Sequence, residues 1–214
     1  MSNPPPHGNN LVPKLHYDDS RERGLLGQVL LPFLVNNKTN MRVFVTVGTT
    51  EFDELFVALD SACGMVCDNL RRLGCKYLTL QVGRGKYVPE QLLSECARSG
   101  IDCSHYRFKD TLAGDMQEAD LIISHCGAGS ILEAIRLRKL LVLVVNPALQ
   151  ENHQSELAFA MTAGQHCLCS KADSLPAVLD SLSFQGLNSA LASLRPFQEP
   201  THTAFPQMVD SLFH

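Results

Sequence analysis

The sequence lacks the features that mark several broad classes of protein. No apolar run in its 214 residues approaches the roughly 20 residues that a membrane-spanning helix needs. The formal net charge is −4, so general nucleic-acid binding is not expected. No secretory signal peptide is recognisable. Apolar residues make up 45% and charged residues 19% of the chain, a composition typical of soluble globular proteins.

Eight cysteines are present, but no Cys-x-x-Cys pair occurs, which disfavours a zinc site. Cys63 and Cys67 lie four residues apart in a helical pattern, which predicts a shared helix face. Cys167 and Cys169 alternate in a strand-like run. We therefore expect eight reduced thiols in a cytosolic protein, without disulfides, bound metal or cofactor.

Three segments differ in composition. Residues 1–40 are rich in Pro, Gly and Asn and are expected to be a flexible or appended segment, with Met41 as a possible alternative start. Residues 41–195 carry the regular pattern of a folded domain. Residues 196–214 form a tail, in which residues 209–213 are expected to be a short helix that docks on a partner or packs on the chain itself.

Strand and helix patterns alternate through the domain without an obvious internal repeat. Strands are predicted at 42–47, 76–82, 101–108, 121–123, 140–145 and 165–169. Helices are predicted from 51 onward, at 90–99, 111–119 and 130–138, from 151 onward, and at 175–182. This alternation predicts an α/β fold, with a Rossmann-like parallel sheet covered by helices on both faces. Ligands bind such sheets at the carboxyl ends of the strands.

A glycine turn follows the predicted strand at 121–123. Gly127 and Gly129 break the apolar run, and Ser130 and Glu133 have the spacing of a capping box at a helix start. Bare backbone N–H groups at such a helix end can bind phosphate, although a merely tight connection is the alternative. Leu132 replaces the third glycine of a dinucleotide fingerprint, and no Walker lysine follows, so neither motif applies.

Two further polar turns are predicted at the same edge. Gly48, Thr49 and Thr50 could offer hydroxyls to phosphate, with Thr50 and Asp53 as a capping-type pair, or could form a plain helix start. The other turn runs from Asn146 to Gln154. Its residues 152–154, Asn-His-Gln, offer groups suited to sugar hydroxyls or simply form a solvated helix end.

For three side chains near these turns, the sequence allows either a structural or surface role or a role in the site. His125 is either a core histidine satisfied by backbone or a site residue. Arg84 and Lys109 are loop cations whose default is a solvated surface role.

Five motifs occur in order and carry a family resemblance. They are Val-Thr-Val-Gly-Thr-Thr at 45–50, Gln-Val-Gly-Arg-Gly at 81–85, Tyr-Arg-Phe-Lys-Asp at 106–110, Ile-Ser-His-Cys-Gly-Ala-Gly-Ser at 123–130 followed by Glu133, and Asn-His-Gln at 152–154. Together they resemble the donor-binding subunits of eukaryotic two-subunit UDP-N-acetylglucosamine transferases of N-glycan assembly, in glycosyltransferase family 28. Those subunits are similar to the carboxyl-terminal half of a bacterial two-domain GT-B transferase. The resemblance covers residues 41 to about 182.

The resemblance implies an inverting transfer of N-acetylglucosamine from UDP-N-acetylglucosamine to N-acetylglucosaminyl-diphosphodolichol. It implies a membrane-anchored partner subunit that binds the acceptor, and recruitment to the cytosolic face of the endoplasmic reticulum. The residues expected to contact substrate are Gly48, Thr49, Thr50, Tyr106, Arg107, Phe108, His125, Gly127, Ala128, Gly129, Ser130, Glu133, Asn152, His153 and Gln154. Glu133 is expected at the ribose, the backbone of 106–108 at the uracil, and 152–154 at the donor sugar.

The catalytic base is not identified by the resemblance, and His125 is a weak candidate. Cys126 stands where the family usually has alanine, and Arg138-Lys139-Leu140 replaces a usual Gly-Lys-Pro, so the helix exit there must form without glycine. A non-catalytic nucleotide-sugar-binding or regulatory protein remains the main alternative. A self-contained nucleotide-dependent enzyme is a third.

Overall fold

The structure, a computed structural model, describes residues 40–146 and 153–195. Its framework is a sheet of six strands: β1 Met41–Thr46, β2 Cys75–Gln81, β3 Asp102–Tyr106, β4 Leu121–His125, β5 Leu140–Val145 and β6 Leu168–Lys171. The described helices are α1 Asp53–Ser61, α2 Cys63–Arg72, α3 Glu90–Arg98, α4 Ala113–Glu118, α5 Ala128–Arg136, α6 His153–Ala163, α7 Leu175–Gln185 and α8 Leu187–Ser193. The described residues all belong to one compact unit.

All neighbouring strands are parallel, in the order β3-β2-β1-β4-β5-β6. The order reverses beside β1, because β2 and β3 extend to one side and β4 to β6 to the other. Doubly wound sheets bind ligands at such a switch point. The predicted α/β fold is confirmed.

Alternating side chains of the strands build a core on each face of the sheet. Val43 and Val45 of β1 pack with residues of α1, α2, α3, α7 and α8. Phe44 lies between them in sequence and packs on the other face, with residues of α4, α5 and α6. Strands β4 and β5 are buried on both faces, as expected of central parallel strands.

Helix starts and short helices are where the sequence patterns were wrong. The helix predicted from residue 51 is two helices, which meet at Ala62, just before Gly64 in the first turn of α2. Thr50 and Asp53 do not form a capping pair, because Phe52 is the N-cap and the Asp53 carboxylate instead accepts from the N–H groups of Lys86 and Tyr87. Helix α8, with seven residues, was not predicted because its pattern is too short.

The exit of α5 forms without glycine, as the sequence requires. Arg138 has a φ of 53°, in the left-handed region that glycine usually occupies. Its N–H donates to the Ile135 carbonyl, and the N–H of Lys139 donates to the Ala134 carbonyl. This is a Schellman motif with arginine at the left-handed position.

Several predictions lie outside the described residues, namely those on residues 1–39, 147–152 and 196–214, the docking helix at 209–213 included. Within the described ranges, no helix is long and apolar enough to cross a bilayer. All eight cysteines are free thiols. Cys67 and Cys167 are buried, and their neighbours Cys63 and Cys169 are partly buried.

Candidate functional site

The carboxyl ends of the strands form one row. Across the sheet, Tyr106 pairs with Gln81, Gln81 with Thr46, and Thr46 with Ser124. On the far side of β4, His125 pairs with Val144, next to the end of β5. The turns after β1, β4 and β5 therefore emerge side by side, about 4.8 Å apart from strand to strand.

Helix α5 begins earlier than the capping-box pattern predicted. Gly127 is the N-cap, without a side-chain cap, and the first intrahelical bond runs from the N–H of Ile131 to the Gly127 carbonyl. Ser130 thus lies inside the first turn, and the capping box with Glu133 is wrong. By helix geometry, the N–H groups of Ala128, Gly129 and Ser130 precede any intrahelical acceptor. They form an amide cluster at the positive end of the helix dipole, where an anion is stabilised.

The His125 ring lies between the two glycine turns. A Cβ added to Gly48 would lie 2.8 Å from the His125 Cε1 atom, and one added to Gly127 would be closer still to Nε2. His125 is only 5% exposed, and within the described part of the chain its buried Nδ1 atom has no hydrogen-bond partner. Burial lowers the pKa of His125, and the nearby Thr46 carbonyl partly offsets this. The imidazole is therefore neutral near pH 7.

The turn after β1 has a fixed shape. Gly48 has a φ of 59°, and its N–H donates to the Thr46 hydroxyl. The Thr50 hydroxyl and N–H both donate to the Val47 carbonyl, at 2.8 and 3.1 Å. Because the Thr50 proton is used to close the turn, the exposed Thr49 hydroxyl is the one that can donate to a ligand.

Glu133 lies one helical turn beyond Gly129 and Ser130, on the same face of α5. The residue is partly buried, and its carboxylate makes no hydrogen bond within the described ranges. Its position one turn inside the helix would let the carboxylate accept hydrogen bonds from a ligand bound at this helix end.

The turn after β3 is braced by its own side chains. The Tyr106 hydroxyl donates to the Asp115 carboxylate at 2.5 Å, and the Lys109 ammonium contacts both Asp115 oxygens at 2.8 Å. Burial and the Asp115 carboxylate raise the pKa of Tyr106. Lys109 was expected to be a solvated surface cation, but it forms an ion pair with Asp115. Its ammonium also lies over the Tyr106 ring. Between these residues, Phe108 is 52% exposed beside the edge.

The remaining predicted residues are placed only in part. Asn152 lies outside the described residues, and His153 opens α6, directly followed by Gln154, without described side chains. The turn that begins at Asn146 was predicted at this edge, and Gln81 belongs to the 81–85 motif, but neither side chain was identified as part of the site. Asn146 follows β5 and donates from Nδ2 to the Glu51 carbonyl at 3.1 Å, which ties the β5 and β1 turns together. A polar side chain at the carboxyl end of a strand was the available signal for both.

An apolar groove of about 880 Å³ lies beside this edge, between α1 and the start of α7. Val57, Ala58, Val145, Ala172 and Pro176 supply its apolar wall, and Lys171 is its basic residue. Such a lining offers few donors for a diphosphate, so the amide cluster of α5 is the better anion site. Among the described residues, no cluster of three or more His, Cys, Asp or Glu is arranged to hold a metal ion.

Comparison with known proteins agrees with this architecture. The glycosyltransferase family 28 C-terminal domain matches residues 42–208. UDP-N-acetylglucosamine transferase subunit ALG13 of Homo sapiens is 41% identical over 172 residues, which cover 71% of this chain and 14% of the relative. The mouse subunit is 46% identical over 132 residues, 60% of this chain and 11% of the relative. The chain thus spans under a sixth of these mammalian proteins. The Yarrowia lipolytica subunit is 35% identical, over 64% of this chain and 68% of the relative.

Two solved structures share the fold. An NMR structure of ALG13 superposes with a TM-score of 0.57 at 22% identity, over 82% of this chain and 98% of that one. The crystal structure of Acinetobacter baumannii MurG gives 0.53 at 19% identity, over 81% of this chain and 50% of that one. With the family match over residues 42–208, these likenesses lead to one conclusion: the chain belongs to glycosyltransferase family 28 and carries its C-terminal domain.

Proposed function

We propose that this chain binds UDP-N-acetylglucosamine at the carboxyl edge of its sheet and is the donor-binding subunit of an inverting N-acetylglucosaminyltransferase. The observation that carries the proposal is the amide cluster at residues 128–130, next to the Gly48 turn and the His125 ring. A diphosphate needs converging donors and a positive potential, and this edge supplies both. The ALG13 relatives are UDP-N-acetylglucosamine transferase subunits, which supports this choice of donor.

The nucleotide lies along the row of strand ends in this proposal. The diphosphate sits on the α5 amides and near the Thr49 hydroxyl, and the Glu133 carboxylate accepts hydrogen bonds from the ribose hydroxyls. The uracil reaches the turn after β3, where backbone groups of residues 106–108 face it. The distance across the sheet from β4 to β3 is three strand spacings, or about 14 Å. An extended nucleoside diphosphate can span this distance.

The donor sugar is assigned to residues 152–154 at the start of α6. This assignment comes from the family resemblance. Their amide and imidazole groups combine donors and acceptors, which sugar hydroxyls require. Substitution of Asn152 is therefore expected to weaken binding of UDP-N-acetylglucosamine more than binding of UDP, as calorimetry with both ligands would measure.

The proposed catalytic base comes from the partner subunit. Inversion at the anomeric carbon requires a base that deprotonates the acceptor hydroxyl within hydrogen-bond reach. His125 does not suit this task, because it is 5% exposed and packed beneath two glycine turns. A GT-B site lies between two halves, and this chain supplies the donor half. Its activity therefore depends on a second polypeptide that completes the cleft.

The proposed acceptor is N-acetylglucosaminyl-diphosphodolichol, which stays in the membrane through its lipid chain. The partner is accordingly proposed to be membrane-anchored and to recruit this chain to the cytosolic face of the endoplasmic reticulum. Residues 209–213 are the proposed docking element on this chain. Deletion of residues 209–214 is expected to abolish recovery of the partner in a pull-down while UDP affinity is unchanged.

Co-expression with a candidate membrane-anchored subunit tests the function directly. The purified complex, the chain alone and the partner alone are each assayed for transfer from UDP-N-acetylglucosamine to the lipid acceptor. Glu133→Ala in the complex serves as a matched control for donor binding. The proposal expects transfer by the complex, little transfer by either subunit alone, and a reduced rate for the variant.

The rival functions give different results in the same assay. A complex that binds UDP-N-acetylglucosamine but transfers no sugar would support the non-catalytic, regulatory role. Turnover by the isolated chain would support a self-contained enzyme. Either result would overturn the proposed division of labour between two subunits.

A further inference from the structure

Gln81, the last residue of β2, holds a buried amide at the centre of the strand-end row. Its side chain is 1% exposed and makes three hydrogen bonds. Nε2 donates to the Gly48 carbonyl at 2.7 Å and to the Arg107 carbonyl at 2.7 Å. Oε1 accepts from the Thr46 hydroxyl at 2.5 Å. Both protons of the amide nitrogen are therefore used, and the amide oxygen is satisfied as well.

This arrangement requires a carboxamide. Two carbonyl groups converge on one nitrogen, and a hydroxyl donates to the oxygen beside it. A glutamate would place a negative charge against both carbonyls, whereas an apolar residue would leave two buried carbonyls without donors. The Thr46 hydroxyl itself accepts from the N–H of Gly48, at 3.1 Å. Gln81 and Thr46 thus form one network that ends in the backbone of the β1 turn.

The network joins two turns that the sheet keeps apart. Gly48 follows β1 and Arg107 follows β3, while β2 lies between these strands. The backbone ladder pairs each of them with β2 but not with each other. Gly83 adds to the tight fit, since a Cβ at that residue would lie 2.8 Å from the Gly48 carbonyl oxygen. The Gln81 amide directly links the turn after β1 to the turn after β3 through hydrogen bonds.

We propose that Gln81 is a positioning residue that sets the distance between the diphosphate half and the uracil half of the donor site. The inference rests on the proposed function, which places the diphosphate near Gly48 and the uracil near Arg107. Each half binds its own part of the nucleotide, and the amide keeps the two halves at the spacing of an intact UDP. A ligand that engages both halves at once depends on this spacing, whereas a fragment does not.

Gln81→Met in the full chain tests the idea, because methionine has a similar length and removes all three hydrogen bonds. Affinities are measured for UDP by calorimetry, and for uridine and inorganic pyrophosphate separately by NMR titration. We expect UDP affinity to fall about 10- to 100-fold, as for the loss of one or two positioning hydrogen bonds. Each fragment is expected to change by less than about threefold.

Asn69→Leu is the matched control. Asn69 is another buried amide, 1% exposed, and its oxygen accepts from Arg72 and Ser183 in a contact between α2 and α7. It lies in the last turn of α2, before β2 begins, so it is at the opposite end of the sheet strands. This variant controls for general destabilisation, and its UDP affinity is expected to stay within about threefold of the wild type.

The outcomes separate the two proposals. Equal losses for UDP and both fragments, or an unchanged UDP affinity, would overturn the positioning role while the proposed function stands. A wild-type chain that binds none of the three ligands would overturn the proposed function itself. If Gln81→Met does not fold, Thr46→Val is measured instead, because it frees the amide oxygen while the glutamine remains. In Thr46→Val the affinity for UDP is expected to fall more than the affinity for either fragment, but by a smaller factor than in Gln81→Met. If UDP affinity does not fall more than fragment affinity, the inference is wrong.

Discussion

Gly127→Ala probes the packing of the His125 ring against the start of α5. Gly127 has a φ of −84°, which any residue can adopt, so backbone strain does not explain the glycine. The reason is steric: a Cβ at residue 127 would collide with the imidazole, lying 2.8 Å from Cε1. Either the ring or the first turn of α5 must move to make room.

The expected cost follows from this geometry. His125 is 5% exposed and cannot swing into solvent without opening the edge, so the substitution resembles the overpacking of a core. Overpacking costs about 1–3 kcal/mol of stability. Displacement of the amides at 128–130 also lengthens their bonds to a phosphate. UDP affinity is therefore expected to fall at least about tenfold, the equivalent of about 1.4 kcal/mol.

Urea denaturation gives the free energy of unfolding, and calorimetry gives the UDP affinity. Gly129→Ala is the control, because among the described residues its added Cβ meets no atom within 4 Å outside the local backbone of its own helix. That variant is expected to be up to about 1 kcal/mol more stable, since alanine is the better helix former, and to lose less UDP affinity than Gly127→Ala.

A double-mutant cycle identifies the collision partner. His125→Ala removes the ring, so the added Cβ of Gly127→Ala should cost little in that background. Strictly additive costs would show that the ring is not the obstacle. A Gly127→Ala chain with wild-type stability and wild-type UDP affinity would refute the steric reasoning altogether.

Three further predictions concern stability, pH and ribose binding. Arg138→Gly should raise the free energy of unfolding by about 1 kcal/mol in urea, because glycine adopts the left-handed φ of 53° without a Cβ penalty; a less stable variant would contradict this. Because burial holds the pKa of His125 below its unfolded value of 6.5, the unfolded chain binds more protons in acid. Stability should therefore fall as pH drops below about 6.5, less steeply in His125→Gln, and equal slopes would exclude this residue. Glu133→Ala should weaken UDP binding by about 1–3 kcal/mol, and calorimetry that shows unchanged affinity would remove Glu133 from the ribose.

The central strands were predictable because a strand buried on both faces of the sheet has a continuous run of apolar residues. The six apolar residues at 140–145 coincide with β5, and β4 extends the short run at 121–123 by only two residues. No single segment of the sequence predicts the order of the strands in the sheet. The alternation of strands and helices nevertheless favours a doubly wound parallel sheet. That rule was enough to predict the shared edge of the turns.

Helix starts were harder to predict, because side-chain patterns do not show which backbone group begins the helix. Ser130 and Glu133 have capping-box spacing, yet Gly127 is the N-cap of α5. Asp53 resembles a capping residue but accepts from the N–H groups of Lys86 and Tyr87, more than 30 residues away. Local spacing cannot reveal a partner that the fold brings from a distant segment.

The role of Gln81 was hidden for the same reason. It sits in a segment that reads as an ordinary strand, and its three partners, at residues 46, 48 and 107, lie on two other strand ends. Only the pairing of β1, β2 and β3 brings these groups together. A polar side chain at the end of a buried strand is a useful general signal, since its hydrogen bonds must be satisfied within the fold.

The most direct test of the central claim is an NMR titration of the isotopically labelled full chain with UDP. If the carboxyl edge binds the nucleotide, the largest amide shifts should occur at Gly127, Ala128, Gly129 and Ser130, followed by Gly48, Thr49 and Arg107. Residues at the opposite edge, such as Cys75 and Leu140, should stay unchanged. Shifts confined to that opposite edge, or no shifts at millimolar UDP, would contradict the account.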